Sequence, residues 1–260
     1  MKKHLFRIWH YITHFMSSRN NYGHGIHSPY IFNFVQSTLH CEHAYYCFDK
    51  IENIRKQNAS NKSEVHITDF GTGNNRISTV AKITNTALQS KKNAQLLFKI
   101  ANYIKAENIL ELGTSLGITT AYLVSHSSKC NCISFEGAEE IVQIAKKNHN
   151  ILGIRNIKII NGDINKTLAK SIAAYTTFDL IYIDANHNYA SLMQYYEEVL
   201  NKTHENSVVV IDDIYWSDGM RKAWEEIKNH PATTCTIDIY HMGIVFYKPF
   251  LHKENFKIVF

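Results

Sequence analysis

The chain has 260 residues, 45% hydrophobic and 20% charged, with a formal net charge of +5, enough for one large core or for one catalytic domain with an extension. The positive charge lies in isolated pairs, Lys2-Lys3, Lys91-Lys92 and Lys146-Lys147, which argues against the continuous basic stripe that tracks nucleic-acid phosphates. Cys41, Cys47, Cys130, Cys132 and Cys235 form an odd set without metal-type C-x-x-C spacing, and no apolar run approaches the roughly 18 residues of a membrane span, so a cytoplasmic protein with reduced thiols is expected.

Residues 1–62 show helical spacing. MKKHLFRIWHYITHFM opens with lysines like a secretory signal, but Arg7, His10 and His14 interrupt the apolar run and no small-residue cleavage site follows. It reads as an amphipathic helix. Ser28 before Pro29 has the form of an N-cap with proline at the first helical position, which predicts a helix from Tyr30 to Leu39. His4, His10, His14, His24 and His27 fit no single metal-ligand face. VHITDFGTG, Val65 to Gly73, looks like a strand ending in a glycine turn; no acid ends a second strand about 20 residues later, so it is expected to be a structured loop leading to helices Ile77–Leu88 and Asn93–Ile104.

From Asn108 a strand-then-helix rhythm sets in. Strands are predicted at Ile109–Leu112, Cys132–Phe135, Ile157–Ile160, Phe178–Ile183 and Ser207–Ile211, with helices at Ile118–Ser125, Ala138–Leu152, Tyr189–Leu200 and Gly219–Asn229. The last two of these strands are nearly all apolar, as strands covered on both faces must be. Thr233–Ile239 and Ile244–Tyr247 are separated by about four residues, too few for a parallel crossover, and must pair antiparallel.

The stretch NILELGTSLGITTAYLV carries the first functional signal. Glu111 lies in the strand, and Gly113-Thr114-Ser115 and Gly117 form a turn whose backbone can approach a ligand closely. Glu136, followed by Gly137, ends the next strand about 20 residues on, where an acid can accept both hydroxyls of a ribose. Asp163 follows the third strand, Asp184 the fourth, and Asp212-Asp213 the fifth.

The E-x-G-x-x-x-G pattern with an acid after the following strand resembles motif I of the class I S-adenosylmethionine (SAM) methyltransferases, and differs from the dinucleotide fingerprint G-x-G-x-x-G. The resemblance covers about residues 92–249. It implies a Rossmann-like α/β fold: a doubly wound, seven-stranded, mostly parallel sheet ending in an antiparallel hairpin. Residues 1–91 are then a mainly helical extension or cap, and 92–260 the methyltransferase domain. It further implies SAM bound by Glu111, Gly113, Thr114, Ser115, Gly117, Glu136, Gly137, Asp163 (toward the adenine amino group) and Asp184.

Asp184 in IDANHNY with Asp212-Asp213 in VVVIDDI resembles the metal-dependent catechol- and caffeoyl-CoA-type O-methyltransferases, which hold Mg²⁺ or a similar ion on an aspartate and an Asp-Asn pair. Asp213 stands where that family has asparagine. The implied metal ligands are Asp184, Asp212 and Asp213; the alternative is that Asp184 only orients the methionine end of SAM while Asp212 caps a loop. His187 occupies the place of the family's proton-accepting lysine, and histidines titrate near neutrality; the alternative is a histidine bonded to a backbone carbonyl. Tyr189, Trp216, His241 and Met242 are candidates for lining the acceptor pocket. The expected activity is methyl transfer to an oxygen of a small-molecule acceptor, with His187 and Asp184 as the catalytic pair. An RNA methyltransferase and a non-catalytic SAM-binding protein share the fold; the scattered lysines weigh against the first and the strand-end acids against the second.

Overall fold

The computed structural model describes residues 2–68, 70, 73 and 75–260, the side chains of Lys2 and Lys3 excepted. Part of the glycine turn expected at Val65 to Gly73, namely Asp69, Gly71 and Thr72, lies outside the described residues. The chain forms two compact units, Met1–Cys41 with Thr177–Phe260, and Glu42–Thr176.

The first unit opens with α1 (Lys2–Ser17) and α2 (Pro29–Thr38). The predicted cap is in place: the Ser28 side chain accepts from the Ile31 amide at 3.4 Å, with Pro29 at the first helical position. α2 buries Ile31, Phe34 and Val35, an i, i+3, i+4 stripe.

The second unit runs α3 (Tyr46–Ser60), β1 (Glu64–Ile67), β2 (Arg76–Thr79), α4 (Val80–Thr86), α5 (Lys91–Ile104), β3 (Asn108–Leu112), α6 (Ile118–Val124), β4 (Asn131–Glu136), α7 (Glu139–Ile151), β5 (Ile157–Asn161) and α8 (Ile164–Ile172). β3, β4 and β5 are neighbours in that order and all parallel, with Ile109 opposite Cys132 and Cys132 opposite Ile157. Two expectations need correction. Ile77 begins no helix: it lies in β2, which pairs antiparallel with β1, Val65 opposite Ser78. The helix starts at Val80 because the Thr79 side chain accepts from the Lys82 amide and ends the strand there. Asn161-Gly162-Asp163 also leads into a helix, α8, that was not anticipated; Asp163 caps it by accepting from the Asn165 amide at 3.0 Å.

Val65 of β1 packs with Val80, Ile83, Leu116, Ala138 and Ile141, which fixes the β1-β2 hairpin against the start of α7. A second cluster, Phe48, Ile51, Phe98, Ala121 and Tyr122 among its members, holds α3, α5 and α6 together. These two clusters support the loop between β3 and α6.

The chain then returns to the first unit with β6 (Leu180–Ile183), α9 (Tyr189–Leu200), β7 (Val208–Asp212), α10 (Asp218–Asn229), β8 (Cys235–Asp238), β9 (Met242–Phe246) and β10 (Glu254–Lys257). Their order is β10-β8-β9-β7-β6. β6 and β7 are parallel, β9 is antiparallel to both β7 and β8, and β10 is parallel to β8. The short connection between β8 and β9 thus makes the expected hairpin. Every residue of β6 and β7 is buried, which accounts for their unbroken apolar sequence. Gly243 has no substitute in β9, because a Cβ there would lie 2.6 Å from the buried Trp224 ring.

The fold is therefore α/β with a mostly parallel sheet, an antiparallel hairpin near its end and helices ahead of it, as expected. Apart from the β1-β2 hairpin, the described residues form eight strands rather than seven. The addition is β10, paired along the free side of β8, where the Thr236 hydroxyl donates to Asn255 at 2.7 Å.

Candidate active site

In the second unit the site is built around the turn from β3 into α6. Gly113 and Gly117 both have positive φ, 104° and 75°, and Ser115 sits at 47°, so this backbone is left-handed at three positions within five residues. The amides of Gly113 and Thr114 donate to the Phe135 carbonyl at 3.0 and 2.9 Å, tying the turn to the end of β4. Beneath it Glu111 is completely buried, and its Oε2 accepts from the Thr120 and Ser134 hydroxyls, each at 2.5 Å. Thr114 extends this network to Ser134. Hydroxyls and a carboxylate thus lock the strand end to the helix start.

Glu136 closes the same turn from the side. Its Oε2 accepts from the Ser115 amide at 2.9 Å and its Oε1 from the Ala138 amide at 3.0 Å. Gly137 lies under Phe70, whose ring a Cβ would approach to 2.9 Å. Asp163 is the cap of α8, as described. Sequence reasoning passed over Asn148 and His149 of α7, which bind the carbonyls of Leu116 and Gly117 at 2.9 and 2.8 Å. Burial pushes the His149 pKa down, and its hydrogen bond to Gly117 acts against that. A Cβ on Gly117 would run into the His149 ring. A buried polar pair on one helix, Asn-His, was the signal available in the sequence.

In the first unit the acids at the ends of β6 and β7 come together. Tyr182 donates its hydroxyl to Asp184 Oδ2 at 3.1 Å. His187 Nε2 lies 3.6 Å from Asp184 Oδ1 and 4.0 Å from Asp213 Oδ2. Asp213 is held at a left-handed φ of 51°, its amide donating to the His241 carbonyl at 2.7 Å. Asp212 is buried, and its Oδ1 makes no hydrogen bond among the described residues. Burial pushes the Asp212 pKa well up, and the neighbouring Asp184 and Asp213 charges add to it. Asp184 is also raised, by burial first, with His187 opposing and Asp213 reinforcing. Crowded, desolvated carboxylates of this kind call for a proton or a cation.

A divalent cation is tested against these side chains on their chemistry. Three hard oxygen donors and a buried carboxylate oxygen lacking a hydrogen bond suit such an ion. As the side chains stand, no group of three or more His, Cys, Asp or Glu among the described residues is gathered closely enough to hold one.

Of the expected pocket residues, Trp216 stacks obliquely on His187 with ring centroids 5.7 Å apart. The Arg7 guanidinium of α1 lies 4.6 Å from the Trp216 ring centroid, so α1 reaches this cluster through one aromatic ring. Tyr189 donates to Glu226 on the surface at 2.8 Å. Met242 is buried within β9, and His241 contributes its carbonyl to Asp213.

Residues 110–214 match a family model described as a methyltransferase domain. The chain is 35% identical over 71 residues to a protein-L-isoaspartate O-methyltransferase of Pyrococcus abyssi, a match that spans 27% of this chain and only about a third (32%) of that relative. Among solved structures it is similar to the O-methyltransferase of Bacillus cereus in complex with SAH, with a TM-score of 0.59, 18% identity, and coverage of 84% of this chain and 97% of that one. It is likewise similar to TomG of Streptomyces achromogenes, an O-methyltransferase involved in tomaymycin synthesis, in complex with SAM, with a TM-score of 0.58, 14% identity, and coverage of 79% and 91%. At these identities the structural likeness establishes the fold alone, and the methyltransferase-domain model matches less than half of the chain, residues 110–214.

Proposed function

We propose that this protein is a SAM-dependent methyltransferase that acts on an oxygen of a small-molecule acceptor. The observation that carries the reading is the cluster of Asp184, Asp212 and Asp213 with His187 within 4.0 Å of two of the acids, at the carboxyl ends of adjacent parallel strands, where doubly wound sheets bind ligands. SAM and SAH in the structural relatives support the cofactor.

Glu136 is the residue to hold the ribose, because its two oxygens are already oriented by the Ser115 and Ala138 amides. Gly113, Thr114, Ser115 and Gly117 present backbone at the turn; Glu111 fixes that turn from below; Gly137 passes closely under Phe70 beside it, and Asp163 is assigned to the adenine amino group. Bound SAM supplies a methyl group on a positively charged sulfur; the S–CH₃ bond breaks as the O–CH₃ bond forms, and a neutral thioether leaves. His187 accepts the proton of the acceptor hydroxyl at Nε2, where Asp184 and Asp213 stabilise the imidazolium that forms. Asp184, Asp212 and Asp213 would have to draw closer together than they stand to hold a divalent cation; such an ion would draw in acceptor oxygens and acidify a hydroxyl.

Calorimetry with SAM, with and without Mg²⁺, followed by an acceptor screen, tests this. Asp212→Ala is expected to abolish turnover while SAM still binds. Unaltered turnover in that variant would remove both the acceptor and the metal roles.

A further inference from the structure

α1 is turned inside out relative to an ordinary surface helix. Its inward side is polar: His14 Nε2 lies 3.0 Å from Asp238 Oδ1, His10 stacks on Tyr215 with centroids 5.4 Å apart, and Arg7 covers Trp216. The Tyr240 hydroxyl donates to the Arg7 carbonyl at 2.7 Å and clamps the helix backbone. Its outward side is apolar. Leu5, Ile8, Trp9, Ile12, Phe15 and Met16 recur at helical spacing along one arc, and Trp9 and Met16 are 64% and 78% exposed. Soluble proteins rarely leave so continuous an apolar strip open to water.

The charge around this strip identifies its occupant. Residues 1–41 contain Lys2, Lys3, Arg7 and Arg19 and not one Asp or Glu; the first acid is Glu42. A second copy docking through the same face would set two acid-free, basic stretches against each other, since a two-fold contact pairs a patch with itself. An anionic lipid surface instead offers acyl chains to the apolar arc and phosphates to an N-terminal stretch that carries cations and no acid. The helix cannot cross a bilayer: it has 16 residues, and no described helix is long and apolar enough to span.

We propose that α1 is a preformed interfacial helix that seats this protein on an anionic membrane surface, apolar side down. Because Asp238, Tyr215 and Tyr240 already hold the helix in place, little ordering is left to occur on docking. The inference does not depend on the methyl-transfer reading.

Co-sedimentation of the full chain with phosphatidylcholine vesicles containing about 30% phosphatidylglycerol, against phosphatidylcholine alone, is the experiment. The protein is expected to pellet with the anionic vesicles, to release as salt is raised, and to show a blue shift of Trp emission that Trp9→Phe removes. Ile8→Asp with Ile12→Asp is expected to lower partitioning about tenfold or more, with circular dichroism and melting unchanged because both side chains point outward. Ile8→Ser with Ile12→Ser replaces that pair if it melts early. A wild-type protein that stays in the supernatant with both vesicles overturns the proposal. So does a double variant that pellets like wild type, and so does a wild-type dimer in sedimentation velocity that the double variant converts to monomer without any vesicle binding.

Discussion

Asp238 is 2% exposed and its carboxylate is held by four partners, the neighbouring Tyr240 amide at 2.9 Å and, from farther along the chain, His14 Nε2 at 3.0 Å, the Tyr215 hydroxyl at 2.7 Å and Trp224 Nε1 at 3.3 Å, with the His14 ring also near its carbonyl. Burial alone would push its pKa up, but the hydrogen bond and ion pair from His14 and the two further donors outweigh it and hold the carboxyl below its ordinary value. A depressed carboxylate stabilises the fold above its unfolded-state pKa and loses that contribution as pH falls toward the folded value. Asp238→Asn is therefore expected to cost on the order of 2 kcal/mol at neutral pH. In urea titrations the gap to wild type should close below about pH 4; a gap that persists in acid would mean packing, not charge, is lost. Nothing in the sequence marked Asp238, since its chief partner is 224 residues away. The strand-end acids were legible because a parallel sheet puts successive strand ends on one edge, whatever the intervening helices are. Gly117 was legible for a related reason: a glycine just ahead of a helix signals a backbone conformation. With its φ of 75° and His149 packed against it, Gly117→Ala is expected to cost more than about 1 kcal/mol and to weaken SAM binding in calorimetry.

At the level of elements, periodicity decided what could be read. The buried strands β6 and β7 and the β8-β9 hairpin announce themselves by continuous apolar runs and a short connection. The β1-β2 hairpin does not, because Ile77 falls in helical register with Val80 and Ile83, and only the Thr79 cap shows that the helix begins later. α8 carried its own signal, Ile164, Leu168 and Ile172 at a spacing of four behind a capping Asp163, but the aspartate drew attention as a ligand instead. The two roles separate experimentally. Serine caps as well as aspartate but is too short to reach beyond the helix start. Asp163→Ser is expected to melt like wild type while binding SAM several-fold more weakly. A variant that binds SAM normally would leave Asp163 a cap and nothing more.

For the whole molecule, the alternation of strand and helix with one short connection near the end implied a mostly parallel sheet closed by an antiparallel hairpin, which leaves few topologies open, and the resemblance to motif I implied the class I fold among them. The direction in which α1 faces could not be read the same way. Hydrophobic periodicity reports that a helix has two faces, and only the packing of His10 and His14 on Tyr215 and Asp238 shows which one the protein keeps. The cofactor assignment can be examined at this scale without any acceptor in hand, since a ligand that binds only the native state stabilises it by mass action. At a hundredfold excess over its Kd, SAM should add about 2.7 kcal/mol. For a chain of this size that corresponds to a rise in Tm of about 5–10 °C, given about 2–4 °C per kcal/mol. In differential scanning calorimetry the rise should grow with the logarithm of SAM concentration and shrink in Glu136→Ala, which removes the carboxylate that the Ser115 and Ala138 amides orient. Melting that ignores SAM at every concentration would detach the glycine turn from its ligand and leave only the fold.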